Sequence, residues 1–193
     1  MSKLLTGIVL VACAVLWCTP SSANGDQRTY LGAAKCKMCH KTPAQGEQFG
    51  IWQKGPHAGA YESLASEKAM EVAKKQGIED PQKADACLKC HVTAHGVDAE
   101  YLGPKYAITD GVGCESCHGA GSDYSKKKAM VAVTSGKAEG ASVGLIKPTK
   151  ETCVTCHNEE SPFYKEFDFE KMFAKIKHSV PEERKAKYKT VSE

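Results

Sequence analysis

Four copies of one pentapeptide, Cys-x-x-Cys-His, carry the chemistry that this sequence can do. They occupy residues 36–40, 87–91, 114–118 and 153–157. On one turn of α-helix, residues three and four positions apart lie on the same face, so the two thiols and the imidazole of each copy point the same way. Each copy can therefore present two sulfur atoms and one nitrogen atom to a single group.

This pattern is typical of covalent attachment of c-type haem. The thiols would bond to the porphyrin vinyl groups, and the imidazole would bind the iron as its proximal ligand. The predicted attachment residues are Cys36, Cys39, Cys87, Cys90, Cys114, Cys117, Cys153 and Cys156. The predicted proximal ligands are His40, His91, His118 and His157. We therefore predict four covalently bound haem c groups.

Zinc sites, disulfides and thioredoxin-like redox centres also use Cys-x-x-Cys pairs. A structural zinc site does not require a histidine directly after every second cysteine, and a redox motif would occur once. Of the ten cysteines, the two outside the motifs are Cys13 and Cys18, in an apolar N-terminal stretch. If that stretch is removed, no thiol remains for a disulfide, a zinc ion or a nucleophile, and no catalytic residue is predicted.

The N-terminus has the pattern of an export signal. Lys3 precedes an apolar run over residues 4–17, and Ser21 and Ala23 give small residues at the −3 and −1 positions of a cleavage site. The run is shorter than the about 20 residues of a membrane-spanning helix. We predict a signal peptide over residues 1–23, a tetrahaem domain over residues 24–193 and a periplasmic location. The alternatives are lipidation at Cys13, a retained signal that anchors the chain in a membrane, and an extracellular location.

The fold is expected to be mostly α, a small multihaem cytochrome c fold in which helices and loops wrap four closely packed haems, with little or no β-sheet. A chain this short cannot enclose four haems separately, so the macrocycles should supply much of the apolar core. Helical patterns are expected over residues 57–76, ended by Gly77, and from Ser161-Pro162 towards His178. The second pattern has an apolar stripe, expected to pack on a haem: Phe163, Phe167, Met172, Phe173 and Ile176.

The formal net charge of the chain is +3, and four haems would add up to eight propionate charges. Basic runs at residues 126–128 and 184–189 are interpreted as solvated surface, with a docking patch for an acidic redox partner as the alternative. Nucleic-acid binding fits an exported haem protein poorly. The expected partners are a redox protein donor and a redox protein acceptor, and oligomerisation stays open.

Three histidines lie outside the motifs: His57, His95 and His178. Imidazole is a favoured iron ligand, so each is a candidate for the sixth position of a haem. Three histidines cannot fill four positions, so one haem must be five-coordinate, Met-ligated or completed by another molecule. If His95 shares a helix with His91, the two rings point the same way, and His95 serves another haem or supports a ligand indirectly.

In motif spacing and in several segments the chain resembles the tetrahaem cytochrome c-554 family, which accepts electrons from hydroxylamine oxidoreductase. The matching segments are Trp52, His57-Ala58, residues 61–64 and residues 111–119, with a weaker match at residues 167–169. The resemblance implies a mostly helical fold with closely packed haem pairs. It also implies three bis-histidine haems and one five-coordinate haem, the second in order of attachment.

The chain departs from the family pattern at two places. A distal histidine of the family corresponds to Lys128 here, and a family aromatic position is His95. Met130 lies near the first of these positions. Three functions therefore stay open: an electron carrier, a reductase of a small nitrogen oxide at the open haem, or a subunit of a polymeric cytochrome wire in which a neighbour supplies the missing ligand.

Overall fold

A computed structural model describes residues 28–190 of the chain, which form short helices joined by turns. Within these residues the α-helices are α1 Ala33–His40, α2 Gln48–Gln53, α3 Ala60–Ser63, α4 Glu67–Lys75, α5 Asp85–His91, α6 Cys114–His118, α7 Lys127–Thr134, α8 Lys150–Val154, α9 Phe169–Ile176 and α10 Glu182–Thr190. Short 3-10 helices lie between them at Pro43–Gln45, Ala99–Tyr101, Ile108–Asp110 and Gly140–Val143. The predicted signal peptide, residues 1–23, lies outside the described residues. The helices between residues 28 and 190 are all too short or too polar to cross a membrane.

The described residues contain no β-sheet. Their extended pairing is one isolated parallel bridge between Tyr30 and Leu102. Tyr30 N donates to the Tyr101 carbonyl at 2.8 Å, and Gly103 N donates to the Tyr30 carbonyl at 2.7 Å. The predicted class, mostly helical with little or no sheet, is therefore confirmed.

The helix predicted over residues 57–76 is two helices, α3 and α4. The Ser63 and Ser66 hydroxyls donate to the carbonyls of Ala60 and Ser63, and Ser66 Oγ then accepts the amide of Ala69 as the N-cap of α4. Such local side-chain bonds compete with continuous helix. The predicted stop is confirmed, because α4 ends before Gly77, whose φ is 70°.

The helix predicted from Ser161-Pro162 starts later, at Phe169. Asp168 is its N-cap and accepts the amide of Lys171 at 3.1 Å, whereas Ser161 lies in a turn. An N-cap carboxylate is a strong start signal for a helix. The helix ends at Ile176, so His178 follows the helix instead of closing it.

The side-chain core of the described residues is small. Leu64, Leu88 and Val92 form a buried cluster, with Tyr61 and Cys87 packed against it. This cluster joins α3 to α5, the helix that carries the second motif. Several large apolar side chains are instead exposed, among them Ile146, Phe163 and Met172.

Candidate functional site

Each motif keeps a turn of helix. His40, His91 and His118 are the last residues of α1, α5 and α6. The fourth motif begins on α8, but Cys156 and His157 lie in the turn that follows. The amide of His157 still donates to the Cys153 carbonyl at 3.0 Å, as it would in a helix.

Hydrogen bonds at Nδ1 orient three of the four motif histidines. The partners are Gln48 Oε1 for His40 at 3.1 Å, the Ala60 carbonyl for His91 at 2.7 Å and the Ile146 carbonyl for His118 at 3.1 Å. An amide or carbonyl oxygen only accepts, so each ring donates from Nδ1 and leaves Nε2 free for a metal. Metal-binding histidines are held in this way.

Two pairs of histidine rings face one another. His57 and His157 have centroids 6.0 Å apart, with planes inclined by 60°. His118 and His178 have centroids 5.9 Å apart, with planes inclined by 66°. A metal–imidazole bond is about 2 Å long, and the ring centre lies about 1 Å behind the nitrogen, so two imidazoles on one iron have centroids about 6 Å apart. The centroid spacing of both pairs matches that of two imidazoles on one iron.

Burial favours the neutral form of three of the four rings in these pairs. Burial lowers the pKa of His57, His118 and His157, and the neighbouring ring also lowers the pKa of His57 and His118. Burial likewise lowers the pKa of His40, against the opposing effect of its Gln48 hydrogen bond. Neutral imidazole is the form that binds a metal.

The fourth motif lines a cavity of about 420 Å³. Its lining includes Cys156 and His157 together with Phe163, Phe167 and Met172 of the predicted apolar stripe. The Phe167 ring stacks on His157, with centroids 4.9 Å apart. A cavity of this size, lined by aromatic and apolar side chains together with charged ones, has room for a large planar group beside two haem-motif residues.

The structure places His91 and His95 apart from these pairs, whereas His40 is an electrostatic neighbour of the His118–His178 pair, and His178 contributes to lowering its pKa. All seven histidines of the chain lie within the described residues. Ring contacts between histidines in this part of the chain are limited to the two pairs above, so neither His40 nor His91 faces an imidazole. His95 lies in the turn after α5, where its Nε2 is 3.4 Å from Asp85 Oδ1. His95 does not share a helix with His91, because α5 ends at His91 and Val92 is extended.

Thiols of different motifs lie next to each other. The Cys36 and Cys114 thiols are neighbours, and their interaction lowers the pKa of Cys36 and raises that of Cys114. Burial and the nearby Cys156 thiol raise the pKa of Cys90 to about 11. The first motif therefore adjoins the third, and the second adjoins the fourth.

Glu115, inside the third motif, is a buried carboxylate with only 3% of its surface exposed. It accepts the amides of Leu31 and Gly32, just before α1, and the amide of Gly121, just after α6, at 2.7–2.9 Å. Nothing in the motif pattern distinguished this residue from a solvated one. Its hydrogen bonds fix the first motif against the third.

The segments that carry the family resemblance meet in one place. The amide of Val112 donates to the His57 carbonyl at 3.0 Å, and Trp52 Nε1 donates to the Val112 carbonyl at 2.9 Å. Gly111 has a φ of 63°, and a Cβ there would lie 2.8 Å from the His57 carbonyl oxygen. The buried Thr93 hydroxyl accepts the amide of Gly113 at 2.7 Å. This loop therefore positions His57, and sequence reasoning missed Thr93.

Comparison with known proteins identifies the family of this chain. The family described as cytochrome c554 and c-prime matches residues 35–119. Cytochrome c-554 of Nitrosomonas europaea is 32% identical over 167 residues, which cover 80% of this chain and 68% of that protein. This chain belongs to the cytochrome c-554 family. It is therefore a multihaem c-type cytochrome of electron transport, with covalently bound haem c. No solved structure matches the chain.

Proposed function

We propose that this cytochrome c-554 family member is an exported tetrahaem electron carrier that passes electrons between a redox protein donor and a redox protein acceptor. Haem supplies the reversible one-electron change of iron. The chain supplies four attachment motifs whose thiols are adjacent, first to third and second to fourth. This proximity supports transfer between haems within one domain, residues 24–193.

The observation that carries the proposal is the pairing of histidines across motifs. His57 faces the proximal His157, and His178 faces the proximal His118, at the spacing of two imidazoles on one iron. We assign these pairs to the fourth and third haems. His95 stays a predicted ligand whose iron the structure does not place, and the second haem, at Cys87, Cys90 and His91, stays the predicted five-coordinate one.

We further propose that residues 1–23 direct the chain to the periplasm and are then removed. Covalent attachment of c-type haem to motif cysteines occurs outside the cytoplasm, so the chain must be exported before its haems are attached. Intact-mass measurement of the purified protein tests both points at once. Four haem additions on a chain that starts at Asn24 are expected; fewer additions, or retention of residues 1–23, would contradict the proposal.

A reductase acting at an open haem is the second candidate, because the described residues bring no second imidazole against His91. The two functions differ in turnover. An electron carrier should show no fast steady-state reduction of nitric oxide or hydroxylamine by the purified, chemically reduced protein. Rapid turnover would instead show that the protein is a reductase.

A further inference from the structure

The first motif has an outward surface unlike that of the other three. Cys36, Cys39 and His40 share one face of α1, and at about 100° per residue Met38 points to the opposite face. The haem attached to this motif would therefore lie on the opposite side of α1 from Met38. With 58% of its surface exposed, Met38 is the most exposed large apolar side chain in the described residues.

Four lysines surround Met38. Lys35 and Lys41 are three residues before and after it, so they lie beside it on the helix surface, and Lys41 keeps helical backbone angles. Lys105 Nζ comes within 4.0 Å of Met38 Sδ from another segment. Lys37 lies over the Phe49 ring. Within the described residues, none of these four lysines forms an ion pair with a carboxylate.

In the second and third motifs both residues between the cysteines contact other segments of the chain. In the second motif Leu88 is buried and Lys89 pairs with Glu160. In the third motif Glu115 is buried, and Ser116 Oγ lies 2.8 Å from Thr93 Oγ1.

The fourth motif differs in charge. It exposes Thr155, and carboxylates flank it in sequence at Glu151, Glu159 and Glu160. Of the four motifs, the first alone combines an exposed apolar centre with cations that have no carboxylate partner among residues 28–190. Cys39, which anchors the first haem, is also the one motif cysteine that is exposed.

We propose that Met38 with Lys35, Lys37, Lys41 and Lys105, the Met38 surface, is the docking site for an acidic redox protein, and that electrons cross the protein surface at the first haem. The proposal rests on the proposed function, because it needs a haem at Cys36 and Cys39. A ring of lysines attracts an acidic partner and accelerates the encounter. The exposed methionine gives an adaptable apolar contact at its centre.

An anionic membrane is the weaker fit for the same charges. An amphipathic helix that lies in a membrane has a broad apolar face. The outward face of α1 has one large apolar residue, Met38, between lysines. The position of the surface directly over a haem motif favours a redox partner.

The test measures how fast reduced flavodoxin, an acidic flavoprotein, reduces the oxidised holoprotein by stopped flow. Its flavin hydroquinone anion gives one electron to one ferric haem and becomes the neutral semiquinone, while that iron becomes ferrous. The variant Lys35→Glu/Lys41→Glu/Lys105→Glu keeps Lys37, which packs on Phe49. The matched control, Lys127→Glu/Lys128→Glu/Lys137→Glu, changes three exposed lysines at α7 and beyond it, with the same change in net charge.

We expect the second-order rate constant at low ionic strength to fall at least tenfold in the Met38-surface variant, and its dependence on salt to flatten. The control should change less than twofold. In the milder Lys35→Gln/Lys41→Gln/Lys105→Gln variant the rate constant should fall about threefold. This variant replaces the Glu variant if the Glu variant fails to acquire its haems. Met38→Gln should slow the reaction at high ionic strength, where the charge effect is screened.

Intact mass and reduction by photoreduced riboflavin, a small donor, verify that every variant carries four intact haems. Fewer than four in the parent protein would refute the proposed function and is seen before any kinetics. With four haems present, equal losses in both Glu variants, a larger loss in the control, or no loss would overturn the docking site. Unchanged flavodoxin kinetics together with lost binding to phosphatidylglycerol vesicles would make the surface a membrane contact instead.

Discussion

The imidazole rings of His118 and His178 lie with their centroids 5.9 Å apart, although the first ends a motif helix and the second follows α9. His57 and His157 repeat this relationship at 6.0 Å. If each pair holds one iron, replacing the non-motif histidine removes one axial ligand and leaves the proximal one. We expect His57→Ala and His178→Ala each to convert one low-spin ferric haem to high spin, as counted by electron paramagnetic resonance.

Addition of free imidazole provides the control for this prediction. It should restore the low-spin signal in both variants, because the small ligand can occupy the space of the missing side chain. The double variant should show two more high-spin haems than the parent protein. A low-spin count that does not change in either single variant would mean that the facing rings do not share an iron.

His95 is the candidate ligand for which the structure shows a competing contact. Its ring meets Asp85 and no other histidine ring in the described part of the chain. If His95 is a ligand, His95→Ala should add one high-spin haem and leave His91 on its own iron. Asp85→Asn is the matched variant, since it removes the carboxylate and keeps the imidazole, and it should preserve the low-spin count.

An unchanged spectrum in His95→Ala would assign His95 to the Asp85 contact alone. Two haems would then lack an internal second histidine, those of His40 and His91. Ligation by methionine or by a neighbouring subunit would become the better account of any remaining low-spin signal.

The motif helices were predictable from sequence because their geometry is local. The two cysteines and the histidine of a motif share one face only if the backbone is helical, whatever surrounds them. Helices α1, α5 and α6 have this backbone. Helix boundaries were not predictable in the same way. The apolar periodicity continues past Ser66 and Asp168, but their side chains cap the first turns of α4 and α9. These caps therefore set where the two helices begin.

The histidine pairs and Glu115 needed the folded chain. His57 and His178 can be recognised in the sequence as candidate ligands. Which motif histidine each one meets depends on contacts between distant segments. Glu115 resembles any solvated acid in a motif, and only the fold surrounds it with amide donors from Gly32 and Gly121. Long-range placement of this kind leaves no periodic signal in the sequence.

Glu115 should therefore be a large contributor to stability. Its carboxylate accepts amides on both sides of the junction between the first and third motifs. In Glu115→Gln the side-chain NH2 group cannot accept, so at least one buried amide loses its partner at a cost of about 3 kcal/mol. We expect the midpoint of thermal unfolding, followed by circular dichroism of the haem band, to fall by roughly 10 °C.

The matched control is Glu71→Gln on the exposed face of α4. It makes the same chemical change without buried donors and should move the midpoint by less than 2 °C, since exposed sites contribute about 0.5 kcal/mol or less. Equal shifts in both variants would show that the Glu115 hydrogen bonds do not stabilise the fold.

Gln48 connects the first motif to the segment that carries His178. Its Oε1 accepts from His40 Nδ1 at 3.1 Å, and its Nε2 donates to the carbonyls of Gln45 and Ser179 at 2.8 and 3.2 Å. An acceptor at Nδ1 makes a ligating imidazole more basic, which stabilises ferric iron. The acceptor at position 48 should therefore set the reduction potential of the first haem.

Substitution of Gln48 should move that potential in both directions. Gln48→Leu removes the acceptor and should raise the potential, whereas Gln48→Glu supplies a stronger acceptor and should lower it. A net hydrogen bond contributes about 0.5–1.5 kcal/mol, and a one-electron potential changes by about 59 mV per tenfold change in equilibrium, so each shift should be about 20–60 mV. Spectroelectrochemical titration of all the haems measures the shifts, and one haem should move while the others stay within about 10 mV. Shifts of the same sign in both variants would mean that Gln48 acts through packing near Ser179 and not through the imidazole of His40.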